Sequence, residues 1–576
     1  MPVHNNDVAE IFNKVADFLD IKGENPFRIR AYRNAARTIG GLSKNVADLV
    51  DQGRDLSEIP GIGKDLAGKI EKIVKTGTLP LLEDLEKKMP PELSALMKIQ
   101  GLGPKKVKAL YKDLGISTAE ELKKAAEQKK IRKLPGFGEK TEQSIVEEIQ
   151  RMEETREVKE RIKLSVAEQI ANPFLDHLKK VKGVKDMVVA GSYRRRKETV
   201  GDLDFLATCK KGSRVMDRFV EYEDVEKVLS KGSTKSSVVL RSGLQVDLRV
   251  FPEVSYGAAL HYFTGSKEHN IAVRRMAVKR KLKINEYGVF KGDKRIAGKT
   301  EKEVYKQVDL PYMEPELREN RGEIEAAQEE NLPSLITQDD IRGDLHVHTK
   351  YTDGHYSLEE MARAAKERGY DYLAVTDHSK HVSVARGLDV KRLGQQIEEI
   401  DRLNGNLKDI IILKSIEVDI LEDGSLDLPD DILKELDLVI CSVHYKFNLS
   451  QEKQTQRIIK AMDNPYFHIL CHPTGRLINE REPYEVNIEK ILEAAKDRGC
   501  FVELNAHPDR LDLTDIHSKM AKELGLKLAV ATDAHSIDDL DLMRFGVYQA
   551  RRGWLEKDDV LNTRTWKELK KLLKRK

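Results

Sequence analysis

The spacing of apolar residues divides the chain into three parts. In residues 1–155 they recur at intervals of three and four, as at Val8 and Ile11, which predicts amphipathic helices throughout. Residues 160–320 contain short apolar runs separated by turns, which predicts mixed helices and strands. Beyond residue 341, apolar strands alternate with amphipathic helices. Repeated strand–helix units of this kind predict a parallel barrel.

A turn motif occurs three times within the helical part. The segments Ile59–Lys64, Ile99–Pro104 and Leu134–Glu139 each place two glycines between a short helical run and a new helix. Two glycines permit a tight turn and the close approach of another backbone, and the free N–H groups of the next helix suit a phosphate. One such turn could be a plain helical hairpin, but three turns, two of them with basic neighbours, favour nucleic acid held without sequence readout. The candidate DNA contacts are Gly61, Gly63, Lys64, Gly101, Gly103, Lys105, Gly136 and Gly138.

The middle part contains the segment Gly-Ser-Tyr-Arg-Arg-Arg-Lys-Glu-Thr-Val-Gly-Asp-Leu-Asp-Phe at residues 191–205. Apolar runs on both sides predict strand, turn and strand, so Asp202 and Asp204 share a face and repel each other unless cations lie between them. Ser192, backbone N–H groups and the arginines of the turn suit phosphate oxygens. With Asp247 on a nearby predicted strand, three carboxylates can hold two divalent ions, Mg²⁺ or Mn²⁺. This arrangement is typical of nucleotidyl transfer.

Histidine is concentrated in the last part of the chain. Of the 15 histidines, only four precede residue 340. The later ones fall at or just after predicted strands, together with carboxylates, and side chains at the carboxyl ends of barrel strands converge on one mouth. One histidine at a strand end is usually structural, but a succession of them mixed with carboxylates predicts a site for Mn, Zn or Fe. The candidate ligands are His346, His348, Asp353, His378, Glu417, His444, His472, Asp533 and His535.

Composition refines these expectations. The formal net charge is only +3, but Lys and Arg are frequent in the first third, which indicates a nucleic-acid surface there. Four cysteines without Cys-x-x-Cys spacing predict buried residues in a reducing compartment. The N-terminus has no apolar signal segment, and no apolar run is long enough to cross a membrane. We therefore expect a cytoplasmic protein without a membrane partner.

The middle part resembles the family X DNA polymerases, typified by polymerase beta, and the likeness covers about residues 1–320. The residues that match the palm of that family are Gly191, Ser192, Arg195, Gly201, Asp202, Asp204 and Asp247. Those that match its nucleotide pocket are Tyr262, Phe263, Gly265, Asn270 and Arg274.

The resemblance implies a role for each of these residues. Ser192 and Arg195 would bind the triphosphate of a dNTP. Tyr262 and Phe263 would lie against the sugar and help to exclude ribonucleotides, while Asn270 would reach the minor-groove edge of the base. Arg274 falls where the family often has a template-side arginine. Lys267 stands where polymerase beta has an acidic residue, so base-side contacts there would differ.

The N-terminal part resembles the small domain of polymerase beta that binds the 5′ side of a gap. Arg28 and Tyr32 match its 5′-phosphate region, and Lys69 aligns with its Schiff-base lysine. Lys69 could instead be a surface lysine that contacts phosphate. We favour the phosphate contact slightly, because Asp65 replaces a basic neighbour and nothing in the sequence indicates a lowered pKa for the amine.

The histidine-rich part resembles the polymerase-and-histidinol-phosphatase (PHP) domain, a distorted (β/α)₇ barrel with up to three Mn²⁺, Zn²⁺ or Fe ions. The nine candidate ligands fill the ligand positions of that family, and His355 lies close to Asp353, the position where ligands vary. By resemblance, Glu417 would bridge two metals and His348 would belong to the catalytic group of a metal-dependent phosphoesterase.

The combined interpretation is a bacterial or archaeal family X DNA polymerase with a C-terminal PHP domain. It would fill short gaps during base excision repair, using dNTPs and gapped or primer-template DNA with a 5′ phosphate, and we expect a monomer. The barrel would be a 3′→5′ exonuclease, and the resemblance also allows processing of blocked 3′ ends and cutting at abasic sites. Predicted domains are a 5′-phosphate-binding domain (1–80), fingers (81–155), palm (156–253), thumb (254–318), linker (319–340) and PHP domain (341–576).

Three alternatives remain from the sequence. The palm could transfer nucleotides without a template, although the preceding turns for DNA argue against this. The barrel could be a small-molecule phosphatase. A non-enzymatic scaffold that binds gaps is the third alternative, which nine filled ligand positions disfavour.

Overall fold

The computed structural model of this protein describes residues 3 and 5–574, except 42–45, 60, 98, 100–101, 135, 140, 147–148, 150–160 and 211–212. The chain forms two compact units, residues 1–162 with 222–225, and residues 163–221 with 226–576. Within the described part of the chain, no helix has the length and hydrophobicity needed to span a bilayer.

The first unit is helical, as the apolar spacing predicts. Its α-helices include Asn5–Lys22, Pro26–Gly41, Val46–Asp51, Lys64–Thr76, Pro80–Glu86, Leu93–Leu96, Pro104–Leu114 and Ala119–Glu127. Apolar residues of the first helix, such as Val8, Phe12 and Val15, are fully buried. The ring of Phe12 meets that of Tyr32 edge to face, with centroids 5.5 Å apart, so the first two helices pack directly on each other.

A five-stranded sheet forms the first layer of the second unit. In order across the sheet, its strands are Val184–Val189, Asp202–Cys209, Gln245–Val250, Lys235–Leu240 and Val225–Lys231. The strands Lys235–Leu240 and Gln245–Val250 form an antiparallel pair. The two strands that carry the predicted carboxylates are parallel neighbours, and Asp204 is paired with Asp247. Helix Leu164–Lys179 covers the sheet, because Phe174 packs against Phe205 with ring centroids 5.3 Å apart.

A second layer follows from residue 256. It contains helices Tyr256–Thr264, Lys267–Lys279 and Glu301–Lys306, and an antiparallel sheet of Lys283–Asn285, Gly288–Lys291 and Lys294–Ala297. Its core includes the fully buried side chains of Val273, Val289 and Val304.

The segment 319–340 differs from the linker that its acidic composition predicts. It contains the helix Glu323–Gln328, and Ile324 and Ala327 pack into the core of the preceding layer. The carboxylate of Glu323 is fully buried and lies 2.6 Å from Nδ1 of His269. It also accepts two backbone hydrogen bonds of 2.7 Å, from Asn320 and Arg321. An acidic residue that composition assigns to solvent is therefore part of the core.

The histidine-rich part is a parallel barrel of seven strands in sequence order. The strands are Gly343–Val347, Tyr372–Val375, Ile411–Asp419, Leu438–Ser442, Ile469–Leu470, Phe501–Asn505 and Leu528–Ala531. The α-helices around them are Leu358–Glu367, Val390–Asn406, Asp430–Leu433, Gln451–Ala461, Ile488–Arg498, Asp515–Leu524, Met543–Arg552 and Trp566–Leu572. The first and last strands meet at a bridge between Val347 and Ala534. The backbone N–H of His348 donates to the carbonyl of Ala534 at 2.8 Å, so the barrel is nearly closed.

We predict that Glu323→Ala lowers the free energy of unfolding of the second unit by about 3 kcal/mol, because His269 and two backbone N–H groups lose a buried acceptor. Glu325→Ala, at an exposed position of the same helix, should stay within about 0.5 kcal/mol of the unchanged chain. Calorimetry of the full chain measures both variants. Equal stabilities would contradict a structural role for the segment.

Candidate active sites

The three predicted carboxylates of the sheet are brought together at one place. Asp202 and Asp204 alternate along one strand, and Asp247 lies opposite Asp204 on the parallel neighbour. Asp202 is exposed, Asp204 is half-buried and Asp247 is buried. The solvent exposure of the three carboxylates therefore decreases from Asp202 to Asp247, so the cluster is open to a substrate from one side.

The pKa values of the two less exposed carboxylates, Asp204 and Asp247, are shifted in opposite directions. Burial, followed by the charge of Asp202, raises the pKa of Asp204 to about 6. Burial also acts to raise the pKa of Asp247, but hydrogen bonds from Gln245 and Ser237 and the charge of Lys235 outweigh it and lower that pKa. Asp247 is thus ionised at neutral pH, and Asp204 is the carboxylate that gains most from a nearby cation.

The predicted turn before these strands is a short helix, Gly191–Arg194. Gly191 has φ of +64°, and a Cβ at this residue would lie 3.2 Å from Oδ2 of Asp204. Glycine is therefore needed both for the backbone conformation and for the space beside the carboxylate. Ser192 follows it in the turn, and Gly201 directly precedes the first carboxylate strand; both are half-buried. The structure places all these residues beside the cluster.

The three consecutive arginines of the turn pair with carboxylates. Arg194 bonds Glu301 at 2.7 Å, Arg195 bonds Glu319 at 2.9 Å, and Arg196 lies 3.3 Å from Glu168. The guanidinium of Arg195 also donates to the carbonyl of Thr264 at 2.7 Å. The sequence predicts phosphate contacts for these arginines and gives no indication of the ion pairs.

The predicted nucleotide-pocket residues contact one another. Asn270 donates from Nδ2 to the carbonyls of Tyr262 at 2.7 Å and Gly265 at 3.1 Å. A Cβ at Gly265 would lie 2.9 Å from Oδ1 of Asn270, so the close approach requires glycine. The guanidinium of Arg274 lies 5.9 Å from the ring centroid of Tyr262.

Arg249 connects this pocket to the carboxylates. Its guanidinium lies 4.7 Å from the ring centroid of Phe263 and donates to Oδ2 of Asp247 at 3.0 Å. The sequence reasoning missed Arg249, although its position two residues after Asp247 on the same strand places both side chains on one face.

The nine candidate ligands of the barrel converge at its carboxyl mouth. They form four overlapping groups whose ligand atoms lie within 4.8 Å of one another. The groups are His348 with Asp353, His378 and His535; His346 with Glu417 and His472; His346 with His348 and Asp533; and His378 with Glu417 and His444. Glu417 belongs to two groups, as a bridging ligand would.

Several nitrogen and oxygen atoms of this cluster that could bind a metal have no hydrogen bond within the part of the chain that the structure describes. Nδ1 of His348, Oδ1 of Asp353, Nδ1 of His378 and Oε2 of Glu417 are buried without a hydrogen-bond partner. Nδ1 of His378 and Oε2 of Glu417 nevertheless lie 2.7 Å apart, and the Nε2 atoms of His346 and His348 are 3.1 Å apart. Buried polar atoms without partners are costly, and lone pairs that converge in this way fit divalent cations.

Electrostatics holds two of the candidate ligands in the forms that bind metal, whereas neighbouring carboxylates outweigh burial and raise the pKa of His346, His378 and His535. Burial, with His535 and His378 nearby, lowers the pKa of His348 to about 3, so its imidazole is neutral. Burial alone would raise the pKa of Glu417, but the surrounding histidines, His378 first, lower that pKa well below its ordinary value. A neutral imidazole and an ionised carboxylate are the forms that bind metal.

Two ligands have strained backbones. His472 has φ of +28° and Asp533 has φ of +56°, in the region that favours glycine. Each follows the end of a barrel strand, where the chain turns sharply. Such strain persists only where the surrounding structure enforces it, and it is common at functional sites.

The sequence reasoning missed the residues behind the ligands. Glu503 is buried; its Oε1 lies 2.6 Å from Nδ1 of His346, and its Oε2 accepts the backbone N–H of His472 at 2.6 Å. Oδ1 of Asp419 lies 3.1 Å from Nδ1 of His444. A glutamate within the apolar strand Phe501–Asn505 is the signal that could have identified the first of these.

The repeated turns of the helical unit share one backbone hydrogen bond among their described residues. In each, the residue between the two glycines donates its N–H to the carbonyl three residues earlier: Ile62 to Ile59 at 3.0 Å, Leu102 to Ile99 at 3.0 Å, and Phe137 to Leu134 at 3.1 Å. Those three apolar side chains are buried. The helices Lys64–Thr76 and Pro104–Leu114 begin directly after the second glycine, and no side chain of the described residues caps them. The second helix offers fewer N–H groups to a ligand, because Pro104 has none and the N–H of Lys106 donates to the carbonyl of Gly103 at 2.9 Å.

Several glycines of these turns have open space around them. A Cβ at Gly63, Gly103, Gly136 or Gly138 would meet no described atom within 4 Å. Gly61 and Gly136 have positive φ, of 77° and 84°, whereas Gly63 and Gly103 have φ of −76° and −92°. Packing within the described chain therefore does not require glycine at residues 63 and 103. Lys64 and Lys105 are exposed beside these turns, and Gly101 lies outside the described residues.

The environment of Lys69 is that of a charged amine. Its Nζ pairs with Asp65 and lies 5.2 Å from the ring centroid of Tyr32. Burial acts to lower the pKa of Lys69, but hydrogen bonds to Asp65 and Tyr32 outweigh it and raise that pKa. A Schiff-base nucleophile needs the opposite shift, so this environment favours phosphate contact. Arg28 is exposed on the second helix.

Family models match most of the chain. The helix-hairpin-helix domain matches residues 3–79, and the SAM-like helix-hairpin-helix tandem matches 93–151. The DNA polymerase beta thumb matches residues 259–319, and the PHP domain matches 344–507.

Individual relatives agree with these matches. A probable phosphatase of Thermoanaerobacter sp. (strain X514) is 35% identical over 248 residues, which cover 40% of this chain and 94% of that protein. A probable phosphatase of Acetivibrio thermocellus is 30% identical over 201 residues, 33% of this chain and 78% of that protein. The DNA polymerase/3′-5′ exonuclease PolX of Bacillus subtilis is 39% identical over 577 residues, which cover 100% of both sequences. This full-length identity shows that the chain belongs to the PolX family, the family X DNA polymerases with a C-terminal PHP domain.

Proposed function

We propose that this chain fills short gaps in DNA during base excision repair and trims 3′ ends in its barrel. As a PolX protein it is a DNA polymerase with a 3′-5′ exonuclease. The observation that carries the finer proposal is the presence of two separate clusters of metal-type ligands, one of carboxylates and one rich in imidazole. Each cluster suits a different reaction on a phosphate ester.

In the palm, we assign Asp202, Asp204 and Asp247 to two divalent ions, Mg²⁺ or Mn²⁺. Such ions, when bound, stabilise charge on the triphosphate and favour ionisation of the primer hydroxyl. Ser192 and Arg195 would bind the phosphates, and Tyr262 and Phe263 would contact the sugar. Asn270 would face the base, and its bonds to the carbonyls of Tyr262 and Gly265 fix its orientation.

In the barrel, we assign the nine converging residues to two or three divalent ions, with Glu417 shared between sites. The ions, when bound, supply an activated water and stabilise charge on the scissile phosphate. His348 would remain neutral as a ligand, and Glu503 would hold His346 and His472 in place. Among Mn²⁺, Zn²⁺ and Fe, the imidazole-rich donor set does not select one.

A second candidate reaction for the barrel is removal of a 3′ phosphate. What supports it is the similarity of this part of the chain to two probable phosphatases. A 3′-phosphatase would produce the free hydroxyl that the palm needs for extension. Comparing a 3′-phosphorylated primer with a small phosphate ester tests whether DNA is required.

The helical unit would hold the DNA on either side of the gap. The uncapped helix starts after Gly63 and Gly103, with Lys64 and Lys105 beside them, suit backbone phosphates. Arg28, Tyr32 and Lys69 would contact the 5′ phosphate. A protein of this kind acts on DNA without reading its sequence.

We predict that the two activities separate by mutation. Asp202→Ala should lower gap filling by about 10³-fold or more, because several kcal/mol of transition-state stabilisation are lost, and should leave the exonuclease intact. His348→Ala should do the reverse. A labelled one-nucleotide gap with Mn²⁺, with and without dNTPs, measures both. Loss of both activities in either well-folded variant would contradict the two-site model.

We predict that Gly103→Val weakens DNA binding by about tenfold without lowering stability, because φ of −92° admits valine while its side chain blocks a backbone phosphate. Gly394→Val, which also has open space around it, is the matched control in the barrel. Fluorescence anisotropy with gapped DNA at fixed salt measures the affinity. If the Gly103→Val variant bound gapped DNA with wild-type affinity, this turn would not be part of the DNA-binding surface.

We predict that Glu503→Gln weakens metal binding to the barrel about 10–100-fold, since His346 loses the partner that orients its ring. Glu489→Gln, at an exposed position of a barrel helix, should leave the affinity unchanged. Competition with a chromophoric chelator measures retained Mn²⁺ or Zn²⁺. Identical retention by the two variants would exclude the positioning role of Glu503.

A further inference from the structure

The arginine turn of the palm is held by one helix of the barrel. Two of the carboxylates that pair with the turn, Glu319 and Glu168, are also bound by arginines of the barrel helix Met543–Arg552. Arg552 donates to Glu319 at 3.0 Å, and Arg544 lies 3.1 Å from Glu168. The barrel therefore contacts the segment that is predicted to bind the incoming nucleotide.

The contacts around Arg195 form a closed ring. Nε of Arg195 donates to Oε1 of Glu319 at 2.9 Å, and Nη1 of Arg552 donates to the same oxygen at 3.0 Å. Nη1 of Arg552 also donates to the backbone carbonyl of Arg195 at 2.9 Å. Arg552 thus fixes the position of Glu319 relative to the backbone of Arg195, and Glu319 fixes the guanidinium.

The ring is shielded and anchored. The side chains of Arg195, Glu319 and Arg552 are 12%, 10% and 2% exposed. The other end of the Arg552 guanidinium binds Asp515 at 2.5 Å, and Asp515 also binds Arg321 at 2.9 Å. Ion pairs with this little solvent are rigid, because each charge would be left without compensation if its partner moved.

The bonds of Arg195 leave part of its guanidinium available. Nε is used by Glu319 and Nη1 by the carbonyl of Thr264, while Nη2 donates to no residue in the part of the chain that the structure describes. A guanidinium held at two nitrogens and open at the third is preorganised for an anion, because less side-chain freedom is lost when the anion binds.

From this geometry we infer that Glu319 and Arg552 are positioning residues for the polymerase, and that the barrel thereby completes the triphosphate pocket of the palm. The inference rests on the proposed function, in which Arg195 binds the triphosphate of the dNTP. Neither residue contacts the nucleotide; both act through Arg195. The barrel is then a structural part of the polymerase site in addition to its own chemistry.

Steady-state extension of a one-nucleotide gap by the full chain tests this inference. In Glu319→Gln, which keeps the shape of the side chain, the KM for the dNTP should rise about tenfold, with kcat changed less than about threefold, because Arg195 is less well oriented. Arg552→Lys should have a similar effect, and the double variant should show less than the product of the two effects. The exonuclease rate of each preparation should stay at the wild-type value.

Arg551→Lys is the matched control. Arg551 lies on the same helix and bonds Glu316 at 2.7 Å, but it does not touch the arginine turn. Its KM should be unchanged. An unchanged KM in Glu319→Gln would overturn the inference, and so would a lower KM, which would mean that Glu319 competes with the nucleotide for Arg195. A wild-type chain that does not extend the gap would instead refute the proposed function. Glu319→Gln decides alone if Arg552→Lys fails to fold.

Discussion

Charged side chains held a few ångströms apart with little solvent between them are the constraint on which both catalytic regions depend. In the palm, Asp204 pairs with Asp247 across parallel strands, and Arg249 and Lys235 form ion pairs with Asp247. In the barrel, Glu417 is buried among histidines that keep it ionised. The palm cluster therefore keeps negative charge that the chain does not balance by itself, whereas carboxylates and imidazoles compensate one another in the barrel. Divalent cations would supply the missing charge in the palm, and in both regions converging lone pairs suit such ions.

The two regions have different scaffolds, but in each the arrangement of strands determines where the ligand-type side chains gather. In the palm, alternation along one strand and pairing with a parallel neighbour gather the three acids. In the barrel, five of the seven strands or strand ends deliver imidazoles to one mouth, and a sixth delivers Glu417. The palm carboxylates lie on the strands themselves, whereas in the barrel His346 and Glu417 lie on strands and the other candidate ligands lie in the segments that follow strands.

The sequence predicted these clusters because local periodicity determines them. A spacing of two places Asp202 and Asp204 on one face, and histidines at the ends of apolar runs locate a barrel mouth. The residues that it missed have partners far away in the chain. Glu319 meets Arg195 across 124 positions, and Glu503 meets His346 across 157. The acidic segment 319–340 was predicted to be a linker because composition alone does not show that Glu323 pairs with the buried His269. Pattern predicts where a side chain points, whereas long-range pairing decides what it contacts.

The junction between the first and last barrel strands has a consequence for assembly. His346 and His348 lie on one side of the Val347–Ala534 bridge, and Asp533 and His535 lie on the other. An ion bound by both sides would therefore join segments separated by almost the whole length of the barrel, as a crosslink of long loop closure does. During synthesis, the site formed by His346, His348 and Asp533 cannot be complete until the segment after the last strand has been made. Metal binding by the two groups that include Asp533 or His535 would thus depend on completion of the fold, although a barrel truncated before the last strand would keep seven of its nine candidate ligands.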